Sequence, residues 1–176
     1  MKRGRAGASR IRVGHAGDLA SLEALERASF AGDRLSRRSF RSLLAAPSAA
    51  LIVEETAGRV RGYALLLFRR RAPEHARLYS FAVAPGERGK GIAQSLLAGA
   101  ERVALSRDAS LLALEVRRDN KPAQALYAKA GFRATGSRAD YYEDGMAAVV
   151  MEKRLGRTDA SRTRRRVPAA KRMGDR

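Results

Sequence analysis

Between residues 78 and 106 the chain passes from an apolar, strand-like run (78–83) through a turn of small residues directly into an amphipathic helix pattern. Ile92, Leu96, Leu97, Ala100 and Val103 make the apolar stripe of that helix at 3.6-residue spacing. A strand, a glycine loop and a helix in this order gather free backbone N–H groups at the positive end of the helix dipole, a place suited to a phosphate. Small residues at Gly89, Gly91 and Ala93 let the backbone come close to a ligand, and Arg88 and Lys90 add positive charge. Two common phosphate loops do not fit. Only Glu87 and Arg88 separate Gly86 from Gly89-Lys90, and Gly91 stands where a nucleotide-hydrolysing loop needs a metal-binding hydroxyl. Gln94 occupies the place of the third glycine of a dinucleotide fingerprint. On the loop alone, a surface turn ahead of a helix remains the competing reading.

The chemistry that composition allows is narrow. Cysteine is absent, which removes disulfides, thiolate metal ligands and a thiol nucleophile. Only His15 and His75 carry imidazoles, far apart and without a neighbouring ligand cluster, so no metal is expected. No apolar run follows the basic start, and none reaches the length of a membrane span, so a cytoplasmic protein is expected by elimination. The net charge of +18 invites a nucleic-acid reading. Residues 1–10 carry four basic and no acidic side chains and residues 157–176 eight basic and two acidic, so ten of those charges lie at the two ends. The expected organisation is a basic N-terminal extension (1–10), one domain (11–155) and a basic, disordered tail (156–176).

Residues 10–13 read as a strand. Asp18 is a candidate cap for a helix with Leu19, Leu22, Leu25 and Ala28, and Ser36 for one with Phe40, Leu43 and Leu44 that stops before Pro47. Strands follow at 49–53 and 60–68 around an Ala57-Gly58 turn, then at 78–83 and 111–116. Asn120 caps a further helix with Pro122 in its first turn and Gly131 at its end. Phe132 and residues 149–151 mark two closing strands. This order predicts an α/β (α+β) domain with a mixed sheet and helices on both faces.

A second segment carries an acid and a base. Glu115 lies between Leu114 and Val116, so strand alternation turns it away from them. A carboxylate in a buried strand is costly unless paired or functional. Its structural reading is an ion pair with Arg117, two residues on; its functional reading is a general base. Tyr127 follows on the next helix, as a packed aromatic or as a proton donor.

The loop Arg88-x-x-Gly91-x-Ala93 resembles the (Gln/Arg)-x-x-Gly-x-(Gly/Ala) loop of the GCN5-related N-acetyltransferases (GNAT). Leu114-Glu115-Val116-Arg117, Asn120, Ala123, Leu126-Tyr127 and Gly131-Phe132 resemble the signature of their ribosomal-protein alanine N-acetyltransferase (RimI-like) subgroup, as does Tyr141-Tyr142-Glu143-Asp144-Gly145. The similarity spans about residues 11–155. It implies the GNAT fold, with about seven strands flanked by about four helices. It implies acetyl-coenzyme A as cosubstrate, with the diphosphate on Arg88, Gly89, Lys90, Gly91, Ile92 and Ala93. The backbone of Phe81, Ala82 and Val83, parted from the next strand by a bulge, would hold the pantetheine arm, with Asn120 bonding that arm or capping its helix. By the same resemblance Glu115 is the base, through water, and Tyr127 the acid that protonates the leaving thiolate. The implied acceptor is the N-terminal α-amine of a protein or peptide, a ribosomal protein among the candidates. A lysine or small-molecule amine is the alternative within the fold. A ribosome- or RNA-associated binding protein, using its basic tails on an idle fold, is the alternative of another class. The chain departs from the subgroup on the acceptor side. Phe30-Ala31-Gly32-Asp33 replaces a Phe-Pro-Trp, and Ala147 stands where an acidic residue commonly precedes Ala148.

Overall fold

The computed structural model describes residues 8–156. Most of the basic N-terminal extension and of the tail lies outside the described residues, and so does the expectation of disorder in the tail. Seven strands form one sheet: β1 (Arg10–Val13), β2 (Ala49–Thr56), β3 (Arg59–Arg69), β4 (Ala72–Val83), β5 (Leu111–Arg117), β6 (Arg133–Arg138) and β7 (Ala148–Arg154). Their spatial order is β1-β2-β3-β4-β5-β7-β6, with the β4–β5 pair parallel and every other pair antiparallel. Four helices complete the domain: α1 (Leu19–Ser29), α2 (Arg37–Ala45), α3 (Ile92–Ser106) and α4 (Lys121–Lys129).

Strand alternation divides the core in two. On β3, Tyr63 and Leu65 face α1 and α2, packing with Leu22, Leu25 and Phe40. Ala64 and Leu66 face α3 and α4, packing with Leu96, Leu97 and Tyr127. A residue period of two thus puts adjacent side chains into different cores, and helices must cover both faces. Gly62 sets how closely α3 lies on the sheet. A Cβ there would fall 2.8 Å from the Ala82 carbonyl oxygen and 2.9 Å from Leu96 Cδ1.

The element order matches the sequence reading, and the boundaries differ in instructive ways. β4 begins at Ala72, not Leu78, because the stretch 72–77 is paired with β3 over Leu67–Arg69 and with β5. Phe132 precedes β6 and is buried against Tyr127. Asp18 does not cap α1. Its carboxylate accepts from the His15 N–H and from Arg12 Nη1 and Nη2 at 2.8 Å each, so it closes a preceding 3-10 turn and ties it to β1. Ser36 and Asn120 do cap α2 and α4, accepting from the Ser39 and Ala123 amides.

Candidate active site

Strands β4 and β5 pair only where His75–Arg77 lie beside Leu111–Ala113. Beyond that point β4 stays on β3, β5 stays on β7, and the sheet splays. A bulge sits at the start of the split: Leu65 opposes Ser80 and Leu66 opposes Leu78, so Tyr79 is the extra residue. The bulge anticipated from the family resemblance is therefore present. Among the described residues, the edge of β4 from Leu78 to Val83 has no partner strand on that side. A cavity of about 1220 Å³ fills the wedge, above the roughly 300–1,000 Å³ of a single small-ligand pocket. Phe81, Ala82, Val83, Glu115, Asn120 and Tyr127 line it, as do Arg88, Gly89, Gly91, Ile92 and Ala93. Twelve residues were singled out for this site from the sequence; these eleven converge, and Lys90 does not.

The loop closes the wide end. Gly89 and Gly91 have φ of +77° and +79°, a region an L side chain enters only with strain. Gly91 stands at the N-cap of α3 and no side chain caps that helix, so its first amides stay available. Lys90 Nζ instead donates to Glu87 Oε2 at 2.9 Å, and Arg61 Nη1 reaches the same oxygen at 3.2 Å. The Lys90 ammonium, with Arg61 behind it, holds the Glu87 carboxyl below the usual carboxylate range. Arg88 is exposed and lines the cavity. Asn120 Oδ1 is engaged as the α4 cap, and Gln124 Nε2 donates to the Arg117 and Arg118 carbonyls, fixing α4 to the end of β5.

Glu115 points away from Leu114 and Val116, as alternation requires, and its side chain is 9% exposed. The ion pair with Arg117, the alternative to a base role, is not formed. Arg117 turns to Asp119 and Asp144, 3.1 and 2.7 Å away. Glu115 is instead held by Arg77, whose Nε donates to Oε2 at 2.8 Å, with Arg138 3.5 Å from Oε1. Burial opposes the charge on Arg77 more than any one contact supports it, but the bond to Glu115, the Glu115 charge and the nearby Tyr141 and Tyr79 together hold the guanidinium above its ordinary value. Arg77 also donates through Nη2 to the Tyr141 hydroxyl. No sequence signal marked Arg77. It comes 38 residues before Glu115, and only the parallel register of β4 and β5 brings the two together.

Tyr127 belongs to the α3/α4 core, the face opposite Glu115, and the splay lets both reach one cavity. Its ring packs edge-on between Phe81 and Phe132, with centroids 6.1 and 5.8 Å away. Burial, and then the nearby Tyr142, push its phenol well above the ordinary value. At the narrow mouth Tyr141 and Tyr142 meet edge to face at 5.1 Å, and Arg117 lies over the Tyr142 ring. Burial and Tyr141 push the Tyr142 phenol up to about 12. Facing them is the divergent loop after α1, where a Cβ on Gly32 would come within 3.9 Å of Glu143 Oε2.

A wedge between parallel strands, entered by a glycine loop and flanked by a carboxylate and a phenol, is what the resemblance leads one to expect. The profile of the acetyltransferase (GNAT) family matches residues 19–132, more than half of the chain. The chain belongs to the GNAT family of acetyltransferases. It is 32% identical over 135 residues to a Bacillus subtilis protein provisionally named a [ribosomal protein bS18]-alanine N-acetyltransferase, covering 76% of this chain and 87% of that protein. It is 33% identical over 120 residues to the N-alpha-acetyltransferase RimI of Mycobacterium tuberculosis, covering 67% of this chain and 74% of the relative. The solved structure of Ard1 from Thermoplasma volcanium superposes with a TM-score of 0.78 at 25% identity, covering 85% of this chain and 99% of that one. The chain is thus an N-acetyltransferase, and these two relatives are RimI-like.

This acetyltransferase also carries a buried carboxylate that the sequence reading passed over. Glu26 is 2% exposed and sits under the cavity wall. Its Oε2 accepts from the Leu35 amide at 2.6 Å, and Oε1 from the Tyr63 hydroxyl and, at 3.4 Å, from Ser80 Oγ. One side chain therefore ties the loop after α1 to β3 and to β4 beside the bulge. Burial and the Glu26 charge raise the Tyr63 phenol, which keeps its proton as donor. The pattern Leu22–Leu25 marks this turn of α1 as core-facing, and a charged residue beside it was the available clue. Glu26→Ala is expected to cost about 1–3 kcal/mol for each buried donor left unpaired, read as a lower denaturation midpoint at unchanged m-value. An unchanged midpoint would show that the network contributes nothing to stability.

Proposed function

We propose that the chain moves an acetyl group from acetyl-coenzyme A to the N-terminal α-amine of a protein or peptide. The observation that carries this reading is the convergence of Glu115 and Tyr127, from opposite faces of the sheet, on the cavity that the Gly91 loop closes. The uncapped start of α3 and the amides of Arg88–Ala93 suit a diphosphate. The free edge of β4 at Phe81, Ala82 and Val83 suits an extended amide-bearing arm, which would bond there as an added strand does. The same edge is suited to polarising the thioester carbonyl.

In this mechanism Glu115, through a water, takes a proton from the acceptor ammonium. The neutral nitrogen then attacks the thioester carbon. As the carbon–sulfur bond breaks, the sulfur receives a proton from the Tyr127 hydroxyl, and the attacking nitrogen gives up its second proton through water to restore that hydroxyl, while Glu115 passes its own to solvent, so an amide and a free thiol leave and no covalent enzyme intermediate forms. Base assistance matters because an α-amine, with pKa about 7.7–8.0, is largely charged at neutral pH. The RimI-like relatives support a protein N-terminus as acceptor, and a ribosomal protein is the first to try. Thiol release from acetyl-coenzyme A, measured over a peptide library, tests the acceptor. Peptides with a free N-terminus are expected to be acetylated. N-terminally blocked peptides that retain lysine are expected to be inert. Equal rates on both sets would overturn the α-amine assignment.

A further inference from the structure

Helix α2 displays cations that the fold does not use. Arg37, Arg38 and Arg41 are exposed and fall within an arc of about 100° around the helix, and exposed Arg34 precedes them by a turn. The helix contains no acidic residue. Among the described residues none of the four arginines is in an ion pair. Arg34 donates to the Ala31 carbonyl, and Glu23, an acid in the cleft that Arg34 also lines, is taken by Arg27 at 3.8 Å. Phe40, Leu43 and Leu44 hold the helix on the core, so the arginines are not needed as anchors. Their placement even opposes folding. Arg37 and Arg38 occupy the first turn, where the helix dipole disfavours a cation. Helix α1, by contrast, pairs Glu23 with Arg27 along its surface.

We propose that this arginine face of α2 docks the phosphate backbone of an RNA duplex. Guanidinium forks match phosphate oxygens in charge and geometry. The arc is made of charged side chains, and the one aromatic ring of the helix, Phe40, is buried on its other face, so the arc does not present the aromatic and aliphatic anchors of a protein partner. It also carries no aromatic ring on which a base could stack, so the contact reads backbone and shape rather than sequence. The whole chain, at +18, adds long-range attraction to a polyanion. The choice of RNA over DNA rests on the acceptor reading above, since a ribosomal protein is one that assembles on RNA. The loop that leads into α2 lines the cavity mouth, so a docked RNA would lie next to the acceptor entrance.

The test is a salt titration of binding by the full chain to a labelled RNA hairpin, without peptide or coenzyme. It is therefore independent of catalysis, and a failed peptide assay would leave its result intact. Arg37→Gln/Arg38→Gln/Arg41→Gln is expected to weaken binding at least tenfold and to flatten the slope of log K against log salt by about 2–3. Its thermal midpoint is expected at or slightly above the wild-type level, since two cations leave the first turn of the helix, and its acetylation of a free peptide is expected to stay at the wild-type level. A control of equal charge loss, Arg69→Gln/Arg70→Gln/Arg71→Gln, is expected to keep more of the affinity and slope. The proposal is overturned by an unchanged slope, by an equal loss in the control, by DNA of the same length binding as tightly, or by polyglutamate displacing RNA as well as unlabelled RNA does.

Discussion

Tyr127→Phe is expected to lower turnover by about 10²–10⁴-fold with coenzyme affinity, measured by calorimetry, nearly unchanged. The two effects separate because ring and hydroxyl have different work. The ring fills the gap between Phe81 and Phe132, and phenylalanine fills it equally. The hydroxyl makes no hydrogen bond to the described residues, so its removal leaves no donor or acceptor stranded and is expected to spare stability. The raised phenol pKa has two consequences. Tyr127 stays protonated up to and beyond its ordinary value of about 10, so no activity is expected to be lost through its ionisation as pH rises to 10. It is also a weaker acid than a solvated phenol. The burial responsible disfavours a thiolate in the same cavity as well, and so moves both partners in one direction. Unchanged turnover in the variant would remove Tyr127 from the chemistry and return it to the core.

Glu115→Gln is expected to reduce the rate by about 10²-fold or more near neutral pH, and the deficit is expected to shrink as pH rises past 8. The sign follows from the acceptor. Above its pKa of about 7.7–8.0 the α-amine arrives already neutral, and a base has less to remove. Glutamine keeps an oxygen for the Arg77 Nε–H, so the geometry around Oε2 is largely retained. What changes is the charge: Arg77, with 31% of its side chain exposed, and Arg138 lose their carboxylate. A pH–rate profile parallel to that of the wild type would show that Glu115 serves those arginines and not the acceptor.

Much of this was legible in the chain itself. The apolar stripe of α3, the Ser36 and Asn120 caps and the 3.6- or 2-residue periods are local effects, set within a turn or two of the residues that cause them. They delivered the order of all seven strands and four helices. The Gly91 loop was legible for the same reason, because close backbone approach and φ near +80° favour glycine strongly over residues with a Cβ. Alternation alone placed Glu115 on the face opposite Leu114 and Val116.

Whatever depended on partners distant in sequence was not legible. Lys90 looked like a phosphate ligand beside its glycines; its partner Glu87 is only three residues back, and the distant member of the cluster is Arg61, which reaches the same acid from β3. Arg117 looked like the partner of Glu115 two residues away, and Arg77 takes that place from the neighbouring strand. Glu26 drew no reading from the sequence, and it is buried where Leu35, Tyr63 and Ser80 converge. The sequence by itself determined which elements form and which groups they carry, since backbone propensity and side-chain direction are short-range. Only the tertiary structure decided which charge meets which, and that the sheet opens beyond Arg77 to let a carboxylate on one face and a phenol on the other share a cavity, because strand register and splay are settled by packing across the whole sheet.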